Sequence, residues 1–203
     1  MITEAGDRVA TDASVFFGLW LQKPLRIAAA NPSGVRLADA IASCVDLSRP
    51  GPVLELGAGT GSLTRGLLRA GCRPERIIAL EREPRLVTVL RKKFPAITVL
   101  EGDATRISEH LANHAEQLCA VVSSLPIKWF STIEQFAVVR PCLDRLGPGG
   151  SFIQLTNAFS SPLSEAQLGI VGREIGRVWL NLLPAQIWCY FEVSRSDNLC
   201  RAA

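Results

Sequence analysis

A chain of 203 residues, 48% hydrophobic and 20% charged, is long enough to bury one core and too apolar to stay disordered. Its 22 Lys and Arg against 19 Asp and Glu leave a net charge of +3, which excludes a polycationic coat for nucleic acid. The six cysteines make no CxxC pair and no Cys/His cluster with zinc spacing, so they read as reduced thiols buried in apolar segments of a cytosolic protein, with no metal site.

Residues 1–47 read as a helical extension. Glu4 and Asp7 precede any apolar stretch, unlike the basic start of a signal peptide, and no apolar run approaches the ~20 residues of a membrane span. Within it, Val15, Phe16, Phe17, Leu19, Trp20 and Leu21 cover a wide helical arc, Ser14, Gly18 and Gln22 form a narrow polar stripe, and Lys23 and Arg26 follow. A helix over 13–27 of this kind either docks on its own domain or lies in a membrane interface, with its rings at headgroup level and its basic residues against anionic lipid. Ser33 is placed to cap a second helix, in which Val35, Ala38, Ile41, Ala42 and Val45 recur at helical spacing.

Residues 48–203 alternate short β-branched runs with stretches of period 3.6. Strands are predicted at Val53–Leu56, Arg76–Leu80, Ile97–Leu100, Ala120–Ser123, Ser151–Thr156, Arg177–Leu182 and Ala185–Val193. Helices are predicted over about 62–70, 84–94, 106–117 and 131–143. Because each parallel return needs a crossover, the first five strands make a parallel sheet in a Rossmann-like α/β fold with helices on both faces. Only Leu183 and Pro184 separate the last two strands, too short for a crossover, so they form an antiparallel hairpin at the sheet edge.

Chemistry concentrates at the strand ends. Val53-Leu54-Glu55-Leu56 runs into Gly57-Ala58-Gly59-Thr60-Gly61, a GxGxG turn that lets a ligand approach the backbone. Glu55, two residues before the first glycine, suits a cationic amino-acid moiety better than the pyrophosphate held by GxGxxG loops. Glu81 closes the second strand and can accept both ribose hydroxyls of a nucleoside, and Asp103 follows the third and can accept from an adenine amino group. These three successive strand ends, with Gly102-Asp103-Ala104 and the turn Leu146-Gly147-Pro148-Gly149-Gly150, resemble the class I methyltransferases that bind S-adenosylmethionine. That resemblance implies cofactor contacts at Glu55, Gly57, Ala58, Gly59, Thr60, Gly61, Glu81, Arg82, Gly102, Asp103, Ala104 and Ser123.

A narrower resemblance is to the bacterial phospholipid N-methyltransferases. It rests on Phe17-x-x-Trp20-x-x-Lys23-Pro24-Leu25, Pro32-Ser33-Gly34, Ser124-Leu125-Pro126 and the run from Val178 to Ala185. It implies transfer to the amine headgroup of phosphatidylethanolamine and its methylated derivatives, at the inner membrane face, with Ser124, Leu125, Pro126 and Asn157 beside the acceptor. Two departures fall there: the family has Ser-Gly-Leu-Pro where this chain has Ser123-Ser124-Leu125-Pro126, and Thr-Tyr where it has Thr156-Asn157.

Other features have plainer readings. His110 and His114, set i,i+4 beside Glu109 and Glu116, read as a solvated helix face. Trp129 and Phe130 either face a choline-like cation or pack at the rim. The nine Lys or Arg of residues 65–93 read as a solvated basic face more readily than as a lipid or RNA surface. A competing enzyme class is adenine methylation of ribosomal RNA, whose Asn-Leu-Pro-Tyr motif Ser124-Leu125-Pro126-Ile127 matches only loosely. Ser124 lacks the amide and Ile127 the stacking ring, so nucleic acid is the less expected partner. A non-catalytic module that binds cofactor or lipid is the third reading.

Overall fold

The computed structural model describes residues 32–112, 114–180 and 183–192, so the interfacial helix predicted over 13–27 lies outside the described residues. In chain order the elements are α1 (Pro32–Ala42), β1 (Val53–Leu56), α2 (Ser62–Arg69), β2 (Ile77–Glu81), α3 (Pro84–Lys93), β3 (Thr98–Glu101), α4 (Ile107–Leu111) and β4 (Leu118–Ser123). They continue with α5 (Thr132–Arg145), β5 (Leu146–Thr156), α6 (Glu165–Leu168), β6 (Ile170–Leu180) and β7 (Leu183–Glu192).

Every residue of β1, β2 and β4 is buried, the mark of parallel strands covered on both faces. The seven strands form one sheet in the order β3-β2-β1-β4-β5-β7-β6. β1 to β5 run parallel, while β7 pairs antiparallel with β5 and β6 pairs antiparallel with β7. On one face Leu37 and Ile41 of α1, Leu63 and Leu67 of α2 and Leu90 of α3 pack on Val53, Ile77 and Val122. On the other, Ile107 and Leu111 of α4 and Val138 and Val139 of α5 pack on Leu54, Leu56, Val121 and Phe152. The later part of the N-terminal extension is therefore built into this core. A Cβ on Gly66 of α2 would stand 2.6 Å from the Ala38 carbonyl oxygen, which shows how closely α1 and α2 approach.

The parallel sheet with its edge hairpin matches expectation, and several boundaries move for local reasons. α1 starts at Pro32, so Ser33 falls inside the first turn instead of at its cap. The helix expected over 106–117 ends at Leu111, because the Arg145 guanidinium donates to the carbonyls of Leu111 and His114 at 2.7 Å each and closes the turn. His110 and His114 therefore do not share a helix face. β5 opens at Leu146, and its glycine turn bulges between the pairs Leu118–Leu146 and Ala120–Ser151. β6 starts at Ile170, after Gly169 at φ 67 releases the chain from α6, and Leu180 pairs with Leu183. Pro184, expected in the turn, is in β7 opposite Trp179, beyond the stretch from Gln186 to Tyr190 that pairs with β5. No helix among the described residues is long and apolar enough to cross a membrane.

Candidate active site

The parallel strands deliver their C-terminal ends to one edge of the sheet, where ligands of open α/β folds collect. β1 leaves the sheet through Gly57, Gly59 and Gly61, at φ 76, 57 and 81, a left-handed region that side chains disfavour. The space is equally restrictive: a Cβ on Gly61 would collide with the Phe94 ring, and one on Gly57 would stand 2.8 Å from Leu125 Cδ2. Inside this turn and the start of α2, the Thr60 and Ser62 hydroxyls are buried with no hydrogen-bond partner. An unpaired buried hydroxyl costs about 1–3 kcal/mol, and at a helix N-terminus such donors suit a carboxylate.

Two carboxylates lie beneath and beside the loop. Glu55 is 1% exposed and accepts from Thr64 Oγ1 at 2.6 Å; burial pushes its carboxyl up to about 7, with nearby Glu81 adding to the effect against the Thr64 bonds. Glu81 uses Oε2 to accept from the Gly59 N–H at 2.7 Å and Oε1 to accept from the Arg82 and Glu83 N–H groups at 2.8 and 2.9 Å. It thereby ties the end of β2 to the glycine loop while keeping one lone-pair site, on Oε2, for a further donor. At the next strand end Gly102 N–H donates to the Glu81 carbonyl at 3.0 Å. Asp103 accepts from Thr105 N–H and Oγ1 through one oxygen and faces Arg82 with the other at 3.4 Å. Its burial opposes ionisation, but the Thr105 hydrogen bonds and Arg82 outweigh it and hold the carboxyl below its usual value. Ala58 and Ala104 are buried under these turns.

The loop after β4 closes over the same place. Ser123 Oγ accepts from the Leu125 N–H at 3.3 Å, which shapes the turn, and Ser124 Oγ donates to the Gly57 carbonyl at 2.8 Å. Leu125 is buried and Pro126 half-buried, whereas Asn157, one residue beyond β5, is exposed. Ile127 is 1% exposed and belongs to the core; Trp129 is 69% exposed and Phe130 packs against the core. Of the basic residues at 65–93, Arg76 donates to the carbonyls of Leu47, Arg49 and Gly51, and Arg69 pairs with Asp39.

Gln154 and Gln186 escaped the sequence reading. Both are buried, and Gln154 sits under the acceptor loop, donating from Nε2 to the Leu125 carbonyl at 2.9 Å. The available signal was a single amide interrupting the apolar run Phe152-Ile153-Gln154-Leu155.

Sheet order, glycine loop and acidic strand ends together define a class I methyltransferase. The methyltransferase-domain family matches residues 53–150. An ornithine lipid N-methyltransferase of Singulisphaera acidiphila is 32% identical over 150 residues, covering 71% of this chain and 78% of that protein. A probable ribosomal RNA small subunit methyltransferase A of Methanosarcina mazei is 38% identical over 98 residues, and there the chain spans only 33% of the relative. Magnesium protoporphyrin IX methyltransferase of Synechocystis, solved with S-adenosylmethionine bound, superposes with a TM-score of 0.59 at 16% identity, over 85% of this chain and 84% of that one. The chain belongs to the class I S-adenosylmethionine-dependent methyltransferases.

Proposed function

We propose that the protein transfers a methyl group to the amine of a membrane-lipid headgroup. Phosphatidylethanolamine and its methylated derivatives are the first acceptors to test, and ornithine lipid is the second. The observation that carries this reading is the lipid-methylating relative matched over most of both chains, where the ribosomal RNA relative is matched over a third of its length. The acceptor loop supports it: Ser124 spends its hydroxyl on Gly57 and Ile127 is in the core, so neither offers the amide or the ring that would hold an extruded adenine.

The cofactor supplies a methyl already activated on a sulfonium, so the protein has to position, dry and deprotonate. The free hydroxyls of Thr60 and Ser62 fit the carboxylate of its amino-acid end, and Glu55 lies on the side of its cationic groups. Glu81 has one open lone-pair site, on Oε2, for a ribose hydroxyl, and Asp103 has one, on Oδ2, for the adenine amino group. Arg82, Gly102 and Ala104 complete that wall, while Ser123 acts through the shape of the acceptor loop. Ser124, Leu125 and Pro126 close the methyl-transfer site, and Asn157 borders it from β5. A lipid acceptor places the protein at the inner membrane surface, with residues 13–27 as the peripheral anchor on anionic lipid.

Radiolabelled methyl transfer into extracted lipid and into ribosomal RNA tests the reading. Label in amine lipids supports it; label confined to RNA, or to neither, overturns it.

A further inference from the structure

The sheet face that carries Leu56 and Ser123 continues into β5 and β7 as an unusual buried polar row. Ser123 pairs with Gln154, Gln154 with Trp188, and Thr156 with Gln186, so these side chains share one face at the end of the sheet that holds the active site. Gln154 is 0% and Gln186 1% exposed. Their partners fix how each amide is oriented. Gln154 Nε2 donates to the carbonyls of Leu125 and Leu155 at 2.9 and 2.6 Å, which leaves its Oε1 as a buried acceptor with no partner. Gln186 Oε1 accepts from Trp188 Nε1 at 3.0 Å, which leaves its Nε2 as a buried donor with no partner.

One free acceptor and one free donor buried on one sheet face are costly, and such groups persist where something else pairs with them. The acceptor lies directly under Leu125, next to the residue that fastens the loop to Gly57, so it is on the methyl-transfer side. The donor lies one strand further out. Opposite Gln186 in the hairpin register stands Arg177, held by Glu174 at 2.8 and 2.9 Å, which puts a compensated ion pair at that end of the row. The loop after β4 meets the row at the Leu125 carbonyl, and residues 157–164, which follow β5, are fastened at their far end by Ser161 to Tyr190 and by Ser164 to Gln135.

We propose that Gln154 and Gln186 are the acceptor-headgroup subsite: Gln154 Oε1 takes an N–H of the amine that receives the methyl group, and Gln186 Nε2 donates to an anionic oxygen of the same headgroup. This rests on the amine-lipid reading above. It adds that the acceptor carries an anionic oxygen a few bonds from its amine, either a phosphodiester or a carboxylate. Both residues are positioning and specificity residues. Gln154 orients the nitrogen, and Gln186 selects headgroups that are zwitterionic.

The test measures binding of soluble headgroups by calorimetry, in the presence of S-adenosylhomocysteine, to wild type, Gln186→Glu, Gln186→Met and Gln154→Met. Glycerophosphoethanolamine probes the phosphodiester and ornithine the carboxylate. Gln186→Glu keeps an acceptor for Trp188 but turns the free donor into an acceptor, and is expected to weaken the preferred headgroup by at least about tenfold. Gln186→Met and Gln154→Met, which remove the free groups at similar volume, are each expected to weaken it by about three- to tenfold, with affinity for S-adenosylhomocysteine and melting temperature showing that each variant is folded. Unchanged headgroup affinity in folded variants overturns the proposal and leaves the free atoms to a structural water. Failure of wild type to bind either headgroup also overturns it. Methyl transfer by wild type into lipid, assayed in parallel, shows separately whether the amine-lipid reading stands.

Discussion

Ser124 Oγ donates to the Gly57 carbonyl across 2.8 Å, so a side-chain hydrogen bond adds to the Ser124 N–H bond with Leu56 in fastening the loop after β4 to the loop after β1. The residue that distinguishes this chain from the Ser-Gly-Leu-Pro pattern is thus the one that joins acceptor loop to cofactor loop. Ser124→Ala is expected to loosen that joint, costing about 0.5–1.5 kcal/mol, or roughly two- to tenfold in affinity for S-adenosylhomocysteine by calorimetry. Identical affinity would show that Leu125 packing alone sets the loop.

Glu81 holds the Gly59 N–H and the first turn after β2 in one carboxylate. Glu81→Ala removes that tie together with the proposed ribose contact, and is expected to weaken cofactor binding by roughly ten- to a thousandfold. A folded variant with wild-type affinity would remove Glu81 from the cofactor site.

Glu55 carries its carboxyl at about 7, against a usual 4.5. The folded state therefore holds this proton more tightly than the unfolded chain, and the stability it contributes is lost as pH rises from about 4.5 through about 7. Glu55→Gln should remove that slope, and at pH 8 the unliganded variant should exceed wild type by up to about 3 kcal/mol. Urea unfolding of both proteins between pH 5 and 8 measures the difference. Parallel profiles would mean that Glu55 stays ionised in the fold.

Gly66 faces the Ala38 carbonyl so closely that a methyl group has no room. Gly66→Ala should lose about 1–3 kcal/mol from displacing α1, offset by up to ~1 kcal/mol of helix propensity. An increase in the urea midpoint would contradict this packing.

Asn157 is exposed where β5 ends, on the side of the acceptor loop. Asn157→Tyr is expected to change kcat/KM for the lipid acceptor while leaving affinity for S-adenosylhomocysteine unchanged. A shift in cofactor affinity alone would place Asn157 on the other side of the site.

The parts of this fold that were legible in the sequence are those whose signal is local. The apolar runs of β1, β2 and β4 are buried throughout, and Gly57, Gly59 and Gly61 turn where their spacing says. Boundaries set by distant partners were not legible: Arg145 closes α4 from 34 residues away, and no periodicity in 106–117 announces it. Gln154 was hidden for the same reason. A lone amide in a strand reads as a surface residue until the loop after β4 is known to fold over it, and its importance comes from Leu125 and Trp188, which only the sheet order brings near.

The irregularity between Glu174 and Gly176 matters beyond the hairpin that contains it. Among the described strands β6 is a margin of the sheet and, at 11 residues, long enough to template another strand from a second molecule. The bulge sets Ile175 out of register, and exposed Arg173 and the Arg177–Glu174 ion pair flank it, so an incoming strand meets a broken ladder lined with charged side chains. At the opposite margin β3 is only four residues long and ends in exposed Glu101. Both margins among the described strands thus carry features that disfavour sheet extension between molecules, and deleting Ile175 to straighten the bulge is expected to weaken that at the β6 margin.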